Sequence, residues 1–99
     1  MKKLILATVI AAASFTASAE SSKFEMCKTI SSLAEQIMTS RQAGLDMAEM
    51  YELSKGSKLG QSMVMMAFDK PLYRTEDYKR TEISKFKNLW FKECMKRDK

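Results

Sequence analysis

Only two cysteines occur in the 99 residues, Cys27 and Cys94, and they stand near opposite ends of any domain this chain forms. Joined to each other, they close almost the whole domain into one loop. In the chain-entropy picture such a loop is stabilised by about 4 kcal/mol. Any fold compatible with that bond must lay residue 27 alongside residue 94. With two cysteines the intramolecular pairing is unambiguous; an intermolecular bridge or two free thiols are the alternatives. Which of these holds depends on the compartment, because disulfides persist in oxidising surroundings and are rare in the cytosol.

The first residues speak to the compartment. Lys2 and Lys3 form a positive start, Leu4 to Phe15 is an uncharged run, and Ala17-Ser18-Ala19 offers the small-x-small pattern that signal peptidase reads. Residues 1–19 are therefore expected to be a cleaved signal peptide, leaving residues 20–99 as a single helical domain. The apolar run is too short for a membrane anchor, which needs about 20 apolar residues, so no transmembrane segment is expected after cleavage. Phe24-Glu25-Met26 before Cys27 is not the small-residue box of a lipidated cysteine. The expected location is the periplasm of a Gram-negative bacterium, or the medium beyond it.

A domain of this size buries only about 60% of its unfolded surface, which makes a covalent staple valuable. Its pattern reads as helix. There is one proline, and the apolar residues recur at three and four rather than alternating. Ser22 with Glu25 has the capping-box spacing and opens a first helix with an apolar stripe of Phe24, Cys27, Ile30, Leu33, Ala34, Ile37 and Met38. Gly44 ends it. Asp46 with Glu49 opens a short second helix to about Ser54, punctuated by Gly56. Ser57 caps a third, bearing Leu59, Met63, Met66 and Ala67 and ending before Pro71. Thr75 caps the last and longest, with Glu76 and Asp77 in its first turn and Lys96, Arg97 and Lys99 at its end, placements that suit the helix dipole. Its stripe is Ile83, Phe86, Leu89, Trp90 and Cys94. The expectation is an all-α domain of about four helices, the first and last antiparallel and joined through Cys27 and Cys94, with Trp90 beside the bridge.

The residue inventory argues against catalysis. The chain has no histidine, so the commonest general base and metal ligand at neutral pH is missing. The carboxylate pairs Glu49 with Glu52 and Glu76 with Asp77 read as caps and solvated faces, and a glycosidase cleft between two carboxylates has little room here. No enzyme, no cofactor and no metal site are expected. Charge is uneven: residues 20–69 hold five basic and seven acidic side chains, residues 70–99 ten and five. The basic stretch reads as a solvated helix face, and export argues against a nucleic-acid partner.

Methionine is the compositional oddity, with nine in the chain. Thioethers suit Cu(I), yet they also fill irregular cores and adaptable binding surfaces. Met63, Met65 and Met66 point in different directions on a helix, so at least one is expected to be exposed. Met47, Met50, Met63 and Met65, with Phe91, form the candidate interaction patch. Arg41 and Gln42, just before Gly44, are expected to bridge helix ends by hydrogen bonding.

The leader, Cys27, the stretch Ile37-Met38-Thr39-Ser40-Arg41-Gln42-Ala43-Gly44, the stretch Ala67-Phe68-Asp69-Lys70-Pro71-Leu72-Tyr73 and a final helix with Ile83, Phe86, Trp90 and Cys94 together resemble the small two-cysteine proteins exported by Gram-negative bacteria and encoded by some of their phages. The resemblance implies a periplasmic helical domain and carries over no functional residues. At the level of fold alone, the domain is also similar to the disulfide-clipped acid-stress chaperones of the periplasm. The expected function is a non-enzymatic interaction protein that binds an envelope or periplasmic protein, in a setting such as phage–host conflict. The alternative is a stress-type chaperone or a small carrier, including one for Cu(I) through the methionines.

Overall fold

Helix ends are where a chain of this composition declares itself, and each has a local cause. In the computed structural model, which describes the backbone of residues 2–97 and the side chains of residues 22–97, the first helix α1 runs Lys2–Gln42. It ends as Gly44 turns left-handed, at φ 94°. The Gly44 N–H then donates to the Arg41 carbonyl at 3.1 Å and the Leu45 N–H to the Ser40 carbonyl at 3.2 Å, the paired bonds of a Schellman ending. Asp46 caps α2 (Met47–Leu53), its carboxylate accepting from the Ala48 N–H. Gly56, at φ 91°, turns the chain towards α3 (Lys58–Ala67), where the Ser57 hydroxyl accepts from the Gly60 N–H at 2.9 Å. Thr75 caps α4 (Glu76–Lys96) by accepting from the Tyr78 N–H. Each cap of this kind is worth about 1 kcal/mol.

One expected boundary moves. No helix begins at Ser22, because α1 passes straight through it. Residues 2–43 contain neither glycine nor proline, so nothing obliges the chain to leave the helix, and a serine caps only where the chain before it does so. The expected leader and its Ala17-Ser18-Ala19 motif have side chains outside the described residues.

Helices α1 and α4 form the spine and run antiparallel. Cys27 is bonded to Cys94 with Cα atoms 5.6 Å apart, Glu35 pairs with Lys87, and Gln42 meets Tyr73; partner numbers fall as the α1 numbers rise. The short helices α2 and α3 pack together and close one side. The core consists of Ala34, Ile37 and Met38 from α1, Met50 from α2, Met63, Val64 and Ala67 from α3 and Phe86 from α4. Ile30, Leu33, Met47, Phe68, Ile83 and Trp90 pack around it.

The buried stripes follow the expected spacing except that Phe24 on α1 and Leu89 on α4 are exposed and the stripe of α3 is rotated. On α3 the inward residues are Gly60, Met63, Val64 and Ala67, while Leu59 and Met66 face outwards. Gly60 sits where a Cβ would lie 3.1 Å from the Ser57 hydroxyl, so its lack of a side chain lets α3 nestle against its own cap. Among the described residues no helix is long and apolar enough to cross a membrane, and none contains a strand.

Candidate functional site: a cleft beside the disulfide

Two polar regions lie at opposite ends of the α1–α4 spine. The first is a clasp at the C-terminal end of α1. The Arg41 guanidinium donates to the Lys70 carbonyl at 2.8 and 3.2 Å and lies 4.4 Å from the centre of the Phe68 ring. Gln42, 2% exposed, donates through Nε2 to the Pro71 carbonyl and accepts at Oε1 from the Tyr73 N–H, both at 2.9 Å. Its Nε2 also approaches the Met38 sulfur at 3.7 Å. These bonds stand in for a helix or sheet ladder along the α3–α4 connection, where backbone groups must otherwise find water. Residues 37–44 and 67–73, two stretches set apart in sequence, are thus one structural unit.

The second region is a cleft of about 450 Å³ at the bridge end. Lys23, Met26 and Ile30 share a face of α1 at spacings of three and four; Trp90, Glu93 and Cys94 do the same on α4, with Arg97 at its C-cap; Leu59 closes it from the first turn of α3. Trp90 is fixed by an edge-on contact with Phe86, the ring centres 6.2 Å apart. Its indole Nε1 is buried without a hydrogen-bond partner. An indole nitrogen only donates, so a donor without an acceptor lies beneath the cleft wall. Leaving such a group unmade costs about 1–3 kcal/mol. Glu93 pairs with Lys96, whereas Arg97 has no ion pair among the described residues.

The expected interaction patch is not one surface. Met50 and Met63 lie in the core and Met47 packs against it, because the three supply the inward face of two helices too short to have many other apolar residues. Met65 is 51% exposed but faces away from them. Phe91 is half-buried on the other side of the spine, edge-on to Phe24 with centres 5.9 Å apart. There, with Lys28, Ser31, Ser32, Lys87 and Asn88, the two rings line a shallower hollow. The outward apolar surface of α2 and α3 is instead Tyr51, Leu53, Leu59, Met65 and Met66. Leu59 and Met66, seven residues apart, form a ridge that starts at the cleft.

The methionines of the Cu(I) alternative also divide. Met50 and Met63 lie in the core with Met38, Met47 packs against it, and Met65 and Met66 turn to solvent. Among the described residues no cluster of carboxylate or cysteine side chains is arranged to hold a metal. Sequence reasoning missed the cleft. Lys23, Met26 and Glu93 each stand one step off the stripe expected to be core, and Arg97 lies beyond its last residue. The chain matches no family model, no curated protein and no solved structure.

Proposed function

We propose that this is a non-enzymatic interaction protein of the Gram-negative envelope, exported to the periplasm or beyond, which binds one envelope protein. A setting in phage–host conflict, as among the exported two-cysteine proteins it resembles, is part of that reading. The carrying observation is the set of apolar side chains that α2 and α3 turn outwards. Tyr51, Leu53, Leu59, Met65 and Met66 remain exposed while Met50, Met63, Val64 and Ala67 of the same helices fill the core, and exposed apolar area supports an interaction surface. The leader pattern and the Cys27–Cys94 bond support an oxidising compartment. The missing histidine supports a role without catalysis.

The test is capture in cells. The chain, exported by its own leader and cross-linked in place, is expected to retain one dominant envelope protein. Met65→Glu with Met66→Glu is expected to release it while helix content and the disulfide stay unchanged, since both side chains are outside the core. Retention by that variant would contradict the reading.

A second reading, a chaperone or small carrier, is favoured in its carrier form by the cleft. A general chaperone would slow aggregation of unrelated denatured proteins at pH 3 or pH 7. For Cu(I), the burial of Met50 and Met63 leaves few surface thioethers, and titration against a competing chelator is expected to show no tight binding.

A further inference from the structure

We propose that the cleft beside the disulfide is a binding site for a single-chain amphiphile with a carboxylate head, such as a fatty acid. The inference goes beyond the docking role of α2 and α3 and stands on different atoms. The volume, about 450 Å³, falls within the range of small-ligand sites, about 300–1,000 Å³. Such sites are mostly apolar with a few placed polar groups, and this one has that make-up. Met26, Ile30, Leu59 and the Trp90 ring offer contact to an alkyl chain, and the Cys27–Cys94 bridge holds the two long walls at fixed separation.

The polar groups select the head. Trp90 Nε1 is buried beneath the cleft wall, so the head is selected at the rim. Arg97, an exposed side chain, lines the same cleft and has no ion pair among the described residues. A guanidinium binds a carboxylate through two parallel hydrogen bonds. A guanidinium at the rim favours a monoanion; an alcohol offers it only a neutral acceptor, and a long-chain amine is repelled.

Trp90 is the only tryptophan in the chain, so the site reports on itself. The protein, purified from cells that export it with its own leader and with its disulfide intact, is titrated below micelle formation with dodecanoate, dodecanol and dodecylammonium. Emission from Trp90 and calorimetry are followed together. Dodecanoate is expected to bind saturably at one site and at least about tenfold more tightly than dodecylammonium, as a charge-assisted hydrogen bond implies. Arg97→Ala is expected to erase most of the preference for dodecanoate over dodecanol. Met26→Glu, at a side chain already more than half exposed, is expected to abolish binding of both without altering the fold. An acidic, apolar peptide that displaced dodecanoate and bound more tightly would assign the cleft to a protein segment and overturn the lipid proposal. So would the absence of saturable binding, or equal affinity for the carboxylate and the amine. None of these outcomes bears on capture of a partner through Met65 and Met66, so the two proposals fail separately.

Discussion

The two ends of the α1–α4 spine use polar groups in opposite ways. At the clasp, Arg41 and Gln42 spend their donors and acceptors on the backbone of residues 70–73. The other buried polar side chains also have partners: Ser31 donates to the Lys28 carbonyl, and Glu82 accepts from the Tyr73 hydroxyl. At the bridge end the helices are held by a covalent bond instead, and polar capacity is left over in Trp90 Nε1 and Arg97. A group fully used inside the fold explains itself by stability. A group left without a partner in an otherwise satisfied structure points to something the fold alone does not contain. The covalent tie makes this division feasible, since a region held by a disulfide can keep an open cleft that packing alone would tend to collapse.

The largest effect expected is loss of the bridge. Cys27→Ser with Cys94→Ser should destabilise the domain by about 4 kcal/mol, read as a lower urea midpoint with the same slope after any folded fraction is confirmed. A loss under about 1 kcal/mol would show that packing, not the bond, holds the cleft end. In the core between the ends, Met50→Ala is expected to cost about 2–5 kcal/mol, while Met65→Ala stays within about 0.5 kcal/mol. Equal costs would erase the distinction between core and surface methionines. At the clasp, Gln42→Ala removes two short hydrogen bonds and strands their backbone partners, for an expected loss of about 2 kcal/mol. Binding at the cleft should be untouched. Smallest in energy, but sharp in pattern, is mild peroxide treatment. Met26 and Met65, the two most exposed methionines among the described residues, are expected to become sulfoxides before Met38, Met50 and Met63, as peptide mass spectrometry would show.

Much of the fold was legible because its signals are local. Asp46, Ser57 and Thr75 sit at the caps they were expected to occupy, Gly44 and Gly56 turn left-handed where the helices stop, and Cys27 finds Cys94. Periodicity erred where it was least determinate. In α3 nearly every position is apolar or small, so the stripe of Leu59 and Met66 was as plausible as the buried one through Gly60 and Val64. Only the neighbouring helices decide between them. The start of α1 failed for a related reason, as a capping box needs a chain that leaves the helix before it. The site was less legible than the fold. Methionine content drew attention to Met50 and Met63, which the core needs. Met26 and Arg97 gave no compositional signal, and whether the indole of Trp90 has a partner depends on three helices far apart in sequence.

The most direct test of the division between the ends is a photo-crosslinking residue placed at Leu59, on the ridge where it meets the cleft, and separately at Leu72, in the clasped connection. Leu72 is the more exposed of the two, at 48% against 38%, so accessibility alone favours it. A discrete protein adduct in the envelope is expected from Leu59 and none from Leu72. Adducts of equal yield from both positions, or from Leu72 alone, would contradict it.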